Sequence, residues 1–179
     1  MDSAAFKVIY QHYADKLYYV CLRYLKNRPD ACDALQEGFI QAYKKISSFS
    51  GKGSFEGWLK RIIVNKCLEF LRKRKVYEEL DNSSIVENYY EEPFELEYYK
   101  EDENLKKVLL NAVNQLSDGY RTIVNLVIIE GYSHKEVSEF VGISVSTSRS
   151  QLVRARAQLK KYLTADQPVQ IIKDYYDRI

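Results

Sequence analysis

The chain has 179 residues, 46% of them hydrophobic, which is enough for one ordinary domain or two small ones, each with a core. Three prolines and seven glycines are few for an all-β protein rich in turns. No stretch approaches the 18 apolar residues of a membrane helix, and the N-terminus has no basic region followed by an apolar run. We therefore expect neither export nor membrane insertion.

The cysteines and histidines indicate which chemistries are absent. Cys21, Cys32 and Cys67 form no C-x-x-C pair and are odd in number, which predicts reduced thiols in a cytoplasmic protein rather than a disulfide framework or a zinc site. His12 and His134 stand far apart, without a nucleophile elbow or metal-ligand spacing. We expect no enzymatic activity, no metal and no other cofactor.

The net charge of +2 conceals three blocks along the chain. Residues 1–75 carry 15 lysines and arginines against 7 acids, residues 76–103 carry 1 against 11, and the remainder carries 11 against 7. This pattern predicts two basic domains, 1–75 and 104–163, joined by an acidic linker over 76–103 and followed by an extension over 164–179. The linker is compatible with a solvated spacer and with a mobile mimic of nucleic acid.

In the first domain, apolar residues recur every three or four positions in three segments, which predicts three helices around one small core. The first helix runs from about Phe6 to Tyr24, and the second begins near Pro29, with Asp30 placed to cap it. The third begins near Phe55 and ends in the basic run RKRK. Residues of the second and third helices that we expect to face the core are Ala31, Ala34, Leu35, Gly38, Phe39, Ala42, Tyr43, Ile46, Phe55, Trp58, Leu59, Ile62, Ile63, Phe70 and Leu71.

A second stripe on the third helix consists of Arg61, Asn65, Leu68 and Arg72, whose spacing of four, three and four predicts a face turned away from the core. Two cations and an amide there are suited to phosphates and the edge of an unpaired base, although an ordinary solvated face has the same composition. The preceding loop, SGKGS, is small and basic but lacks the spacing of a phosphate-binding P-loop.

In the second domain, two apolar helices precede a short helix, a turn and a long basic helix. Gly131 is placed to end the second of these helices, and Ser133 with Glu136 forms the S-x-x-E pattern of a capping box. Gly142 predicts the turn and Ser144 the cap of the long helix. The arrangement is that of a helix-turn-helix, or of a plain helical hairpin.

The long basic helix has two contrasting faces. Its predicted inward residues are Val145, Ser148, Leu152, Ala155 and Leu159, and the Ser148 hydroxyl is able to bond to a carbonyl one turn earlier. Its outward residues are small, polar or basic, and no acid occurs from 144 to 165; they are Ser146, Ser150, Val153, Arg154 and Ala157, with Arg149 and Arg156 on the flank. Small residues permit close approach to a major groove and arginine bonds guanine through two atoms, so this face favours a DNA-reading helix.

These motifs resemble a known family over nearly the whole chain. DACDALQEGFIQAYKKISSFSGKGSFEGWLKRIIVNKCLEFLRKRK resembles region 2, and GYSHKEVSEFVGISVSTSRSQLVRARAQL resembles the region 4.2 helix-turn-helix, of bacterial extracytoplasmic-function (ECF) RNA polymerase sigma factors. Each pattern alone is moderately specific. The two in this order, on one chain, indicate the small sigma-70 type with only regions 2 and 4. The fold implied is all-α, with two helical domains joined by the acidic linker.

The resemblance implies a role for each block. Region 2 binds the β′ clamp helices of RNA polymerase core, through positions that match Asp33, Gln36 and Glu37. It takes up the non-template strand of the −10 element, with a base flipped out, through Lys52, Gly53 and Ser54 in the loop and Arg61 and Asn65 on the helix. Region 4 docks on the β flap and reads the −35 element through Arg149, Ser150, Val153 and Arg154. An anti-sigma factor is a further implied partner.

The chain departs from the family pattern at several positions. Cys32 stands where an acid is usual, Gly38 where a larger residue is usual, Ser148 where valine is usual and Gln151 where arginine is common. These changes bear on the −35 preference and on one polymerase contact. The alternative function is a stand-alone helix-turn-helix regulator, which would need to dimerise to present two recognition helices.

Overall fold

The computed structural model describes residues 3–80 and 103–166, which form two compact units treated separately below. Every regular element in these two ranges is helical, which confirms the all-α prediction. No helix within them is long and apolar enough to cross a membrane. Most of the predicted acidic linker, and the extension after 166, lie outside the described residues.

The first unit contains three helices, α1 (Ser3–Leu25), α2 (Arg28–Lys45) and α3 (Phe55–Leu80), with one 3-10 turn at Ile46–Ser48 after α2. Each helix contacts the other two. The α2 stripe is confirmed from Ala31 to Ala42, whereas Tyr43 is 41% exposed. Because α3 packs against both neighbours, its buried arc is wider than one stripe and also takes in Val64, Cys67 and Leu68.

The connection between α1 and α2 differs from the expectation. Asn27, not Asp30, caps α2: the Asn27 side-chain oxygen accepts a hydrogen bond from the Asp30 backbone N–H at 2.7 Å. Asp30 lies in the first turn, where its carboxylate accepts from the Asn27 amide at 2.7 Å and where a negative charge suits the helix dipole. Lys26 adopts a left-handed backbone with φ of 67°, which makes the tight turn that places Asn27.

Gly38 is the point of closest approach between α2 and α3. The residue is buried, and a β-carbon placed on it would overlap the Cδ1 atom of Ile63. Glycine costs a helix about 1 kcal/mol relative to alanine. That cost accompanies a close fit, because the Ile63 side chain occupies the space that a Cβ would take.

The second unit contains α4 (Glu103–Gln115), α5 (Asp118–Val124), α6 (His134–Val141) and α7 (Val145–Asp166). The second predicted helix does not stay α-helical to its end: α5 passes into a π turn over Asn125–Ile129. All four helices contribute buried apolar residues to the core, which are Ala112, Val113, Leu116, Ile123, Val124, Leu126, Val137, Leu152, Ala155, Leu159 and Leu163.

One buried charge in this unit was not expected. Arg121 is 0% exposed in a helix that the sequence indicates is apolar. Its guanidinium donates to the Leu116 carbonyl at 3.0 Å and to the Asp118 carboxylate at 2.6 Å. The arginine therefore joins the residue that follows α4 to the first turn of α5, and its charge is paired, as burial requires.

The predicted caps of the helix-turn-helix are confirmed. Ser133 and Glu136 form a complete capping box at the start of α6, and Gly142 ends that helix in the left-handed conformation. Gly131 has a φ of 76° and follows the π turn, where the Tyr132 N–H donates to the Leu126 carbonyl at 2.9 Å. The Ser144 hydroxyl accepts from the Thr147 N–H at 3.0 Å, so Ser144 caps α7.

Candidate nucleic-acid interfaces and the exposed face of α2

The outward face of α7 is exposed as predicted. Arg149, Ser150, Val153 and Arg154 are all exposed, and Val153 reaches 67%. The opposite side of the helix is buried, at Ser148 and at the inward apolar residues of the core. One face of α7 therefore packs in the core, and the other presents two arginines, a hydroxyl and an apolar group to solvent.

The N-terminal turn of α7 is ordered by hydroxyls. Ser144 Oγ lies 2.8 Å from both Ser146 Oγ and Thr147 Oγ1, and Ser150 Oγ donates to the Thr147 carbonyl at 3.0 Å. The turn before it is closed by Ser138, whose hydroxyl donates to the Ile143 carbonyl at 2.6 Å. These bonds fix the direction in which α7 leaves the turn.

Ser148 bonds to a side chain of the preceding helix rather than to its own helix backbone. Its hydroxyl is fully buried and lies 2.8 Å from Nδ1 of His134, the first residue of α6. A carbonyl of the preceding turn is the partner that its position in a helix makes available. Helical spacing alone cannot reveal the histidine, because it lies 14 residues earlier in the chain and the turn at Gly142 brings it close.

The loop over residues 50–54, with Lys52, Gly53 and Ser54, is exposed throughout. Phe49 and Phe55 flank it, their ring centroids lie 5.4 Å apart, and each ring also lies 5.4 Å from the Trp58 ring. The aromatic contact holds the two ends of the loop together. A short basic loop is thus anchored on half-buried rings while its backbone and its lysine face solvent.

On α3, Arg61 and Arg72 are exposed and Asn65 is half-buried, so these three side chains lie on the accessible side. Leu68 does not: it is 4% exposed and belongs to the core, which corrects its assignment to the outward stripe. The reason is the position of α3 between α1 and α2, which buries residues at the margin of the expected face. The polar face that remains begins at Arg61, about two turns into α3.

Asp33, Gln36 and Glu37 are exposed together on α2. Ile40 follows on the same face, three and four residues later, and is 55% exposed. The sequence analysis did not identify Ile40, although its spacing from Gln36 and Glu37 is the signal that places it there. This face therefore combines two acids and an amide with an uncovered apolar side chain.

Lys66 of α3 reaches this face from the neighbouring helix. Its ammonium lies 2.7 Å from a carboxylate oxygen of Glu69 and 3.7 Å from one of Glu37. The hydrogen bond to Glu69, together with the two negative charges, raises the pKa of Lys66 against the opposing effect of burial. Glu37 keeps a side chain that is 47% exposed, so it remains available to a further partner.

Two thiols lie in the core of the first unit. Cys21 of α1 and Cys67 of α3 are both 0% exposed, whereas Cys32 is exposed on α2. The hydrogen bond between the two buried thiols, and their burial, raise the pKa of Cys67 well above its ordinary value. Among the residues that the structure describes, no group of three or more His, Cys, Asp or Glu side chains is placed to hold a metal ion.

Comparison with protein families matches both units. Residues 9–76 match the Sigma-70 region 2 model, and residues 106–159 match the Sigma-70 region 4 model. The first match spans most of α1, all of α2 and most of α3. The second spans most of α4 and continues through α5 and α6 into α7. The matched ranges include the exposed face of α2, the polar face of α3 and the outward face of α7.

Curated relatives extend over nearly the whole chain. ECF RNA polymerase sigma factor SigW of Bacillus subtilis is 34% identical over 169 residues, which cover 90% of each chain. The ECF RNA polymerase sigma-E factor of Haemophilus influenzae is 30% identical and covers 89% of this chain and 87% of its own. SigE of Mycolicibacterium smegmatis is 34% identical over 88% of this chain, which spans only 60% of that relative.

Two solved structures share the fold. Sigma factor RpoE of Bartonella quintana, determined with the anti-sigma factor NepR, aligns with a TM-score of 0.62 at 22% identity and covers 91% of this chain and 99% of its own. CnrH, determined with the cytosolic domain of CnrY, aligns with a TM-score of 0.52 at 23% identity, covering 93% and 92%.

Proposed function

The chain belongs to the ECF sigma factors of the sigma-70 family, and on that basis we propose that it directs RNA polymerase core to specific promoters in the cytoplasm. In this proposal the second unit reads the −35 element as duplex, and the first unit takes up the −10 element as single strand. The observation that carries the proposal is the division of α7 into a buried inner face and an exposed, acid-free outer face within a fully capped helix-turn-helix.

The −35 reader is the outward face of α7. Arg149 and Arg154 supply the cations and donors that bond guanine in a major groove, and Ser150 supplies a small group that permits close approach. The hydroxyl bonds at Ser144 and the link from His134 to Ser148 support this role, because a reading helix must leave its turn in a fixed direction.

The −10 reader is the anchored loop together with the exposed side of α3. Lys52 and Arg61 attract the phosphates of a strand that passes between loop and helix, and Asn65 offers both a donor and an acceptor to an extruded base. The half-buried position of Asn65 supports this, since a base edge is best read where water is partly excluded.

The polymerase-binding surface is the exposed face of α2. Asp33 and Glu37 offer carboxylates to basic side chains of the β′ clamp helices, and Gln36 offers an amide. The apolar side chain of Ile40 beside them supplies the uncovered area that a stable contact requires. The second unit docks on the β flap; Ile129, 41% exposed at the end of the π turn, supports a docking surface there.

An anti-sigma factor is a further proposed partner. Both solved structures that share the fold hold another protein, and one of those proteins is an anti-sigma factor. The simplest inhibitor would cover the face of α2, because the polymerase would then find Asp33, Glu37 and Ile40 already occupied.

In vitro transcription tests the proposed function. Core polymerase is combined with genomic fragments, with and without this protein, and transcript starts are mapped. We expect discrete starts only when the protein is present, each preceded by two shared sequence elements. Arg154→Ala should reduce these transcripts, and Lys7→Ala, which removes an exposed cation from α1, serves as the charge-matched control. Tight sequence-specific binding by a dimer without polymerase, and no dependent transcripts, would support a stand-alone regulator instead.

A further inference from the structure

Val153 is the most exposed of the large apolar side chains that the structure describes, at 67%. It lies on α7 among exposed residues one turn away on either side, Arg149 and Ser150 before it and Arg156 and Ala157 after it. The inner face of the helix is already supplied by other residues. Folding therefore gives no reason for an isopropyl group here, and valine is a slightly poorer helix former than alanine.

The charge around Val153 limits what can cover it. From Val145 to Ala165 the helix has no acid, whereas Arg149, Arg154, Arg156, Lys160 and Lys161 are all exposed. An acidic polymer that accepts a helix fits this surface, and the DNA major groove does so geometrically. The major groove of RNA is too deep and narrow to admit it.

One apolar group projects into the DNA major groove, the C5-methyl of thymine. We propose that Val153 reads that methyl group, so that the duplex bound by α7 carries a thymine at one defined −35 position. The inference rests on the proposed function and adds to it the chemical group that one side chain selects. Arg154 and Arg149 supply charge and hydrogen bonds to neighbouring positions, and Val153 supplies the apolar contact between them.

Replacement of thymine by deoxyuridine tests this directly, because it removes the methyl and leaves every hydrogen-bonding group in place. A promoter is taken from the mapped transcripts, and each thymine of its −35 element, on either strand, is replaced singly. The affinity for each altered promoter is measured with the full chain bound to core polymerase. At one position we expect about a fourfold loss, the size that burial of one methyl group implies. Val153→Ala should produce a similar loss and abolish the further effect of deoxyuridine there.

Val8→Ala is the matched control, since Val8 is 64% exposed on α1 in the other unit. That variant should keep the full response to deoxyuridine. The proposal is overturned if no replacement changes the affinity of the unaltered protein, if the −35 element contains no thymine, or if the response persists in Val153→Ala. In those cases a defect of Arg154→Ala in the same assay would leave the proposed function standing. Absence of promoter-specific transcription would overturn both.

Discussion

His134 Nδ1 and Ser148 Oγ lie 2.8 Å apart, which ties the first residue of α6 to the buried side of α7. Ser148 is 0% exposed, so its hydroxyl has no access to solvent and depends on this partner. The bond crosses the turn at Gly142 and joins α6 to α7, the two helices of the helix-turn-helix. The angle between the two helices therefore depends on a polar contact as well as on apolar packing.

Removal of the histidine should expose this dependence. His134→Ala leaves the Ser148 hydroxyl buried without its partner, and we expect a loss of about 1–3 kcal/mol in the stability of the second unit. Ser148→Val in the same background removes the orphaned group and should recover part of that loss. Hydrogen–deuterium exchange over α6 and α7 measures it. Equal protection in His134→Ala and the unaltered protein would contradict the role given to the bond.

A second prediction concerns Gly38 and Ile63. Gly38→Ala gains helix propensity but forces its new methyl against Ile63 Cδ1, and overpacking of this kind costs about 1–3 kcal/mol. Ile63→Val removes the Cδ1 atom, so the double variant should be more stable than Gly38→Ala alone. Urea unfolding followed by the fluorescence of Trp58, the chain's one tryptophan, reports on this unit. Stabilisation by Gly38→Ala alone would show that Ile63 moves aside without cost.

The third prediction separates contact from support on the face of α2. Glu37→Gln should weaken binding of core polymerase by roughly tenfold or more, since a hydrogen bond to a charged group is worth about 1.5–3 kcal/mol. Glu69→Gln is the matched control, because Glu69 shares Lys66 with Glu37 but lies on α3. It should leave the affinity nearly unchanged. Equal losses would mean that both acids act through Lys66 rather than by touching the polymerase.

The buried thiol pair predicts a dependence on pH. The pKa of Cys67 is raised well above 9.0 in the folded chain, so the folded state keeps a proton that the unfolded chain releases. Stability of the first unit is therefore undiminished below about pH 9.0 and falls as the pH rises beyond it. The raised pKa of Lys66 contributes stability that is lost only above its ordinary value of 10.5, so it leaves this window unchanged.

Unfolding of the first unit between pH 8 and pH 10, followed by Trp58, measures this effect. Cys67→Ala should be less stable at every pH because it leaves a cavity, but its stability should decline less steeply above pH 9. Cys32→Ser changes an exposed thiol and should keep the original slope. An unchanged slope in Cys67→Ala would assign the decline to other groups.

Much of the fold could be predicted because its signals are local. The capping box at Ser133 and Glu136 and the turn at Gly142 depend on residues within four positions of each other, and helical spacing placed the core of α2. One error was itself local, because Asn27 rather than Asp30 caps α2. Other features were missed where distant segments meet. Leu68 is buried because α3 packs between two helices, and Ser148 bonds to His134 across a turn.

In the candidate sites, too, the sequence predicts what depends on local spacing and misses what depends on contacts between helices. The exposure of Arg154 on α7 followed from periodicity alone. Ile40 was missed because an apolar residue beside a core stripe was not weighed as a surface residue, and Lys66 because its approach to Glu37 joins residues of two different helices. The packing of Gly38 against Ile63 also could not be predicted. A glycine within a helix indicates close packing, but it does not show which side chain lies against it.

The last prediction separates the two proposed DNA-binding sites by the state of the DNA that each one meets. Arg154 is exposed on α7, and its replacement by alanine should cost about 1–3 kcal/mol in binding to the −35 duplex, the usual worth of a bidentate base contact. The loss should appear before strand opening and should relax the preference for one base. Binding of polymerase holoenzyme to a −35 duplex measures it.

Asn65→Ala should behave in the opposite way. Asn65 is half-buried on α3, in the other unit, and would meet a base only after that base has left the stack. Extrusion of a base costs a few kcal/mol, so loss of the side chain that receives it should impair strand opening and leave −35 binding nearly intact. Permanganate footprinting of the −10 region, beside the duplex assay, records both activities. If each variant lost both activities equally, the two-site scheme would be wrong, and the result would indicate a fold defect or a different architecture.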